Sequence, residues 1–273
     1  MRYSSLLISE VFLCVVCAFA LIRTRGMTAE PILTLENVVA GYGRSTILHG
    51  VSFGVARGAI VAVIGPNGAG KSTVFKTVFG MLPARSGAVT FGGAAITNLA
   101  PRELIARGLC YVPQGRNIFP ELSVEHNLEI GGVAAPKGYD IRPRMEAALD
   151  RFPVLRRKAK RQASTLSGGE QKMLEIARGL LLEPKLMLID EPSIGLSPIL
   201  VEELFALLRE LRGTGMTVLL IEQNAKRALE NADFGIVLEL GRTRVQDRAD
   251  SILADPRIGQ LFLGAGLESA PAV

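Results

Sequence analysis

Four short stretches of this chain hold residues whose types and spacing can do chemistry. The first is "GPNGAGKST", Gly65 to Thr73, which fits G-x-x-x-x-G-K-[ST]. Its glycines let the backbone wrap a phosphate with N–H groups, and a following helix adds its dipole. Lys71 would neutralise the β- and γ-phosphates of a nucleoside triphosphate, and the Ser72 hydroxyl would ligate Mg²⁺. Gly65, Pro66, Asn67, Gly68, Ala69, Gly70, Lys71, Ser72 and Thr73 are therefore the candidate phosphate loop.

The second stretch, "LMLIDEP", runs four apolar residues into two carboxylates. Asp190, at a strand end, is placed to hold Mg²⁺. Glu191 beside it can polarise an attacking water as general base. Alone such a pattern says little, because many strands end in an acid; beside a phosphate loop it gains weight. The third stretch is "LSGGEQ", where Ser167 reads as an N-cap and Glu170, three residues on, completes a capping box. That allows a plain helix start. Two glycines at such a start weaken it unless backbone must approach a ligand closely. On that second reading Ser167, Gly168, Gly169 and Glu170 grip a γ-phosphate with hydroxyl, N–H groups and helix dipole. The fourth is "LLIEQNAK", an apolar run that ends in Glu222, Gln223 and Asn224. Polar residues at the carboxyl end of a buried strand are where open α/β sheets bind ligands.

The elements that position these residues follow from pattern. "ILTLENV" and "STILHGVSFGV" read as strands of an antiparallel region, "AIVAVI" as a short buried strand, and "STVFKTVFGML" as the helix after the phosphate loop. "GAVTFGG" is strand-like and "APRELIARG" helical. From about Leu122 to Leu182 the sequence turns helical, rich in Leu, Ala, Glu and Arg. Strand and helix then alternate through "KLMLID", "PILVEELFALLRELRGTG", "MTVLLIEQ", "NAKRALENA", "FGIVLEL" and "RTRVQ". Such alternation implies a parallel sheet with helices on its faces, and the helical stretch looks like an insertion.

A phosphate loop, then LSGGEQ, then an apolar strand ending in Asp-Glu resembles the ABC-type ATPases, over the chain from about Pro31 to Leu263. The resemblance implies an α/β fold: a P-loop NTPase (RecA-like) core, an antiparallel β subdomain, and an inserted helical subdomain at about 122–182. It implies ATP and Mg²⁺ as cofactors and a second ATPase subunit packed head to tail. Each ATP would lie between the phosphate loop of one domain and the LSGGE of the other. Tyr42 in "AGYG" matches the aromatic that stacks on adenine, and Gln114 in "YVPQG" the glutamine that touches Mg²⁺ and signals to the membrane subunit. Gln223, 32 residues after Glu191, stands where the family usually has a histidine on the γ-phosphate. Its amide can donate a hydrogen bond but carries no charge; capping of the following helix is the bland alternative. Ser197 replaces the aspartate that many members use across the dimer.

"YVPQGRNIFPELSVEHNL", "DEPSIGLSPILVEELF" and "LLIEQNAKRALENAD" are similar to the ATP-binding subunits of branched-chain amino-acid importers, and urea-type importer ATPases resemble them closely. That implies membrane permease subunits, a substrate-binding protein outside the cell, and a peripheral position on the cytoplasmic face of the inner membrane. A soluble ABC ATPase acting on nucleic acid would carry two ATPase domains or long coiled-coil insertions; this sequence shows neither.

Composition agrees with a globular domain: 48% hydrophobic, 21% charged, no Trp. The net charge of +5 includes two from the first 26 residues (Arg2, Arg23 and Arg25 against Glu10), and the densest basic run, "RRKAKR", reads as a solvated face. Nothing calls for nucleic acid. The uncharged run from Val11 to Ile22 is short of the roughly 20 residues of a membrane span. Of a signal peptide's leading charge it has only Arg2, and Ala18-Phe19-Ala20 runs on into apolar sequence rather than a cleavage site; an uncleaved anchor and a signal are the alternatives to a later start. Met27 is the expected start of the domain, with 1–26 an apolar extension, 27–263 the ATPase domain and 264–273 a tail. Cys14 and Cys17 fall in the apolar run, leaving Cys110 alone in the domain and no disulfide framework.

Overall fold

Apolar runs of two kinds build two sheets. The computed structural model describes residues 30–135, 138–256 and 258, so the apolar extension and the tail lie outside the described residues. Strands β1 (Pro31–Ala40) and β2 (Leu48–Ala56) pair antiparallel, and β4 (Ala84–Phe91) and β5 (Ala94–Ala95) complete a sheet ordered β2-β1-β4-β5. The second sheet is ordered β10-β9-β3-β8-β7-β6, from β3 (Ile60–Ile64), β6 (Leu109–Val112), β7 (Leu186–Asp190), β8 (Thr217–Ile221), β9 (Phe234–Glu239) and β10 (Arg242–Arg248). It is parallel from β9 to β6, with β10 antiparallel at the edge. Every residue of β3, β7 and β8 is buried, as continuous apolar strands covered on both faces must be.

Helix α1 (Lys71–Val78) follows β3 through the glycine loop, and α2 (Pro101–Ala106) precedes β6. Helices α3 (Val124–Gly131), α4 (Arg142–Arg151), α5 (Pro153–Arg157) and α6 (Gly168–Leu180) occupy the stretch between β6 and β7. Helix α7 (Pro198–Gly213) crosses from β7 to β8, α8 (Ala225–Glu230) follows β8, and α9 (Ala249–Leu253) follows β10. One apolar cluster joins α1 and the antiparallel sheet to one face of the parallel sheet. A second packs α3 to α7 on the opposite face through residues such as Leu128, Leu149, Leu174 and Phe205. Strand β6 is absent from the sequence-based expectation. In "GLCYVPQ" four residues are too few to show a period, and only its pairing with β7 defines it.

The basic run is not free charge. Arg156 pairs with Glu146 and Asp150, and Lys158 with Glu170, so part of the run is neutralised within the chain.

Candidate functional site

Four parallel strands deliver their carboxyl ends to one cleft, the place where open α/β sheets hold ligands. The glycine loop leaves β3, Gln114 follows β6, Asp190 ends β7 with Glu191 next, and Gln223 follows β8. Tyr42, Asn67, Gly68, Gly70, Lys71, Ser72, Thr73, Gln114, Glu191 and Gln223 line a cleft of about 530 Å³, together with Ile47 and Ile194. A second cleft of the same volume, edged by Arg57, Arg144, Arg151 and Lys185, holds none of these residues.

The loop has the conformation its glycines allow. A Cβ on Gly65 would stand 2.0 Å from the Leu238 carbonyl oxygen. Gly70 holds φ 98 at the N-cap of α1 and supplies no side-chain cap. The first N–H groups of α1 therefore lack both an intrahelical partner and a capping oxygen, and can cradle an anion. Lys71 is buried and donates to the Gly65 and Pro66 carbonyls at 2.8 and 3.2 Å. Burial lowers its pKa, with Glu191 and Asp190 opposing that shift.

Asp190 is buried and accepts from Ser72 Oγ at 3.3 Å and from the Tyr111 hydroxyl at 3.3 Å. Burial raises its carboxyl, while those two bonds and Lys76 and Lys71 pull it down. Tyr111, invisible as a site residue in the sequence, packs on Phe75 and Phe79 beneath α1. Glu191 holds φ 47, a left-handed conformation uncommon outside glycine. Burial and then the Asp190 charge raise its carboxyl above the ordinary range, against Lys71. A carboxylate so raised is suited to take a proton. Its Oε2 accepts from Gln114 Nε2 at 2.7 Å. That leaves the Gln114 carbonyl oxygen, with Ser72 and Asp190, as hard oxygen donors of the kind Mg²⁺ takes.

The three polar residues after β8 divide their work. Glu222 turns inward: it is 2% exposed and accepts from Ser193 N, Ser193 Oγ and Gln223 N. Burial raises its carboxyl, opposed by those bonds and reinforced by Glu191. Asn224 caps α8, its side chain accepting from Arg227 N at 3.0 Å. Only Gln223 lines the cleft, and Asn224 rather than Gln223 caps the helix.

Ser167, Gly168, Gly169 and Glu170 are not brought to this cleft. Ser167 caps α6 and the capping box closes both ways, Glu170 Oε2 accepting from Ser167 N at 2.8 Å. Gly169 has a packing reason to be small, since a Cβ there would lie 2.7 Å from Leu200 Cδ1 of α7. Gly168 has none: it is exposed, with nothing closer than 4.0 Å. Helix α6 also holds the loop that carries Gln114. Lys172 Nζ reaches the Gly115 carbonyl and pairs with buried Glu175, which accepts from Asn117 N, while Arg178 donates to the Asn117 carbonyl. The i,i+3 charge pair was readable in the sequence; its target loop was not.

The family model described as ABC transporter matches residues 48–194, from β2 past Glu191. The chain belongs to the ABC transporter family. Tyr42 and Gln223 of this ABC ATPase lie outside the matched segment. It is 41% identical to the high-affinity branched-chain amino acid transport ATP-binding protein BraG of Pseudomonas aeruginosa, over 85% of this chain and 100% of that protein. It is 40% identical to the probable branched-chain amino acid transport ATP-binding protein LivF of Archaeoglobus fulgidus, over 82% and 95% of the two chains. The crystal structure of the ADP conformation of an ABC transporter's ATP-binding cassette superposes with a TM-score of 0.79 at 32% identity, over 86% of this chain and all of that one. The chain is thus an ATP-binding ATPase subunit of a transport system with the P-loop NTPase fold. Among the described residues no helix is long and apolar enough to cross a membrane.

Proposed function

We propose that this ABC ATPase energises import of branched-chain amino acids, docked on permease subunits at the cytoplasmic face of the membrane and paired head to tail with a second ATPase chain. The observation that carries this reading is the split site. One cleft gathers Lys71, Ser72, Gln114, Glu191 and Gln223, while Ser167 and Gly168 stand exposed at the start of α6 outside it. A second chain would bring that helix start to the phosphates. The substrate class is supported by the likeness to BraG and LivF.

In this reading Tyr42 stacks on adenine, the backbone from Gly65 to Thr73 cradles the phosphates, and Lys71 neutralises the transferred charge. Ser72, Asp190 and Gln114 would hold Mg²⁺, which stabilises charge on the phosphate oxygens. Glu191 takes the proton of the attacking water, and Gln114 orients that carboxylate. Gln223 donates its amide to the γ-phosphate as charge develops there. The test is uptake of labelled leucine, with labelled urea alongside, in cells lacking the chain. Wild-type protein restores leucine uptake and Glu191→Gln does not; restored urea uptake without leucine uptake refutes the substrate class.

A further inference from the structure

We propose that Glu222 is a positioning residue for ATP hydrolysis, clasping the loop after Glu191 to the backbone of Gln223 so that the two sides of the cleft keep one register. The inference rests on the reading of Gln223 as a γ-phosphate contact. Glu222 Oε1 accepts from Ser193 N at 3.0 Å. Its Oε2 accepts from Ser193 Oγ at 2.7 Å and from Gln223 N at 3.2 Å. Ser193 is two residues past Glu191, and Ile194, the next residue, lines the same cleft as Gln223. The clasp continues a join already made by the sheet, where Glu191 N donates to the Ile221 carbonyl at 2.9 Å.

Removing a charge from water is costly, whereas the Ser193 and Gln223 donors would lose their acceptor if an apolar residue stood here. Among the described residues no Lys, Arg or His forms an ion pair with Glu222, so its charge rests on the hydrogen bonds from Ser193 and Gln223. What that arrangement achieves is geometric. With Glu222 clasped on one side and Asn224 capping α8 on the other, the Gln223 backbone is fixed between two anchored neighbours while its side chain stays free for the cleft. The held loop also reaches the exposed start of α6, where a Cβ on Gly168 would lie 4.0 Å from the Gly195 carbonyl oxygen. Glu222 thereby connects Gln223 to the segment that faces a partner chain in the proposed pair.

The experiment measures turnover, ATP affinity and melting temperature for Glu222→Gln, Ser193→Ala, Ser193→Thr, Gln223→Ala and the double variant Glu222→Gln/Gln223→Ala. Glu222→Gln and Ser193→Ala should each lose about tenfold in kcat with ATP affinity within about twofold of wild type. Ser193→Thr, which keeps the hydroxyl, should recover most of that loss. The double variant should be no slower than Gln223→Ala, because the two residues act through one contact. Ser193→Ala removes a single hydrogen bond and keeps the test open if Glu222→Gln fails to fold. Wild-type kcat in Ser193→Ala, or no recovery in Ser193→Thr, overturns the clasp. A slow Gln223→Ala with a further additive loss in the double variant overturns the positioning of Gln223 by Glu222. A Gln223→Ala chain with wild-type turnover removes the underlying reading of Gln223, and the positioning role with it.

Discussion

Gln114 and Glu191 meet across the cleft, the amide nitrogen donating to the carboxylate at 2.7 Å. One residue follows β6 and the other β7, so the bond ties together the ends of two neighbouring parallel strands. It orients the carboxylate and turns the amide oxygen away from it. Gln114→Ala removes both features. Its kcat should fall about tenfold and its half-saturating Mg²⁺ concentration should rise. Titrating Mg²⁺ at saturating ATP measures both; an unchanged Mg²⁺ requirement would remove Gln114 from the metal set.

Glu191 gives a pH dependence whose sign is fixed by its surroundings. Burial and Asp190 place its carboxyl above the ordinary 4.5. As the proposed base Glu191 acts only when ionised, so turnover should fall as pH drops through that raised value, with the acid limb above 4.5. For stability the sign reverses. The native state binds this proton more tightly than the unfolded chain, so above the raised pKa the ionised group costs stability. Glu191→Gln should therefore melt no lower than wild type at about pH 7.5. A lower melting point would place the carboxylate in a stabilising role instead.

The Lys172–Glu175 pair is buried, and removing Lys172 leaves Glu175 without its ion-pair partner. Lys172→Met should cost about 3–5 kcal/mol, read from urea unfolding. Lys172→Met/Glu175→Leu should cost less than the single change, yet still slow turnover because Gly115 and Asn117 lose their anchors. A double variant with wild-type kcat would show that this latch does not position Gln114.

What the sequence disclosed tracks local chemistry. β3, β7 and β8 were legible because fully buried strands appear as unbroken apolar runs, and the α6 capping box because its residues are three apart. Contacts that depend on which strands become neighbours were not legible. Tyr111 meets Asp190 across 79 positions, and Ser193 meets Glu222 across 29, only because β6, β7 and β8 lie side by side. The glycines of LSGGE were misleading singly, since Leu200 requires Gly169 to be small whereas Gly168 has open space.

That open space permits a test of the head-to-tail pair. Lys71→Ala should abolish ATP binding, and Gly168→Asp should fold yet repel a partner's phosphates. Each variant alone should be inactive. Mixed, they should recover about a quarter of wild-type turnover, since half the dimers are mixed and one of their two sites is intact. Mixed dimers without recovered activity would mean that α6 does not complete the partner's site.

In the proposed mechanism Glu191 is the base, and the phosphate grip of the cleft does not depend on it. The direct measurement is release of inorganic phosphate from Mg·ATP by wild-type and Glu191→Gln protein, with equilibrium ATP binding determined on the same samples. The variant should release phosphate at least about a hundredfold more slowly while binding ATP within about twofold of wild type, and should elute with ATP and Mg²⁺ as a trapped dimer. Phosphate release at the wild-type rate by Glu191→Gln would show that Glu191 is not the base.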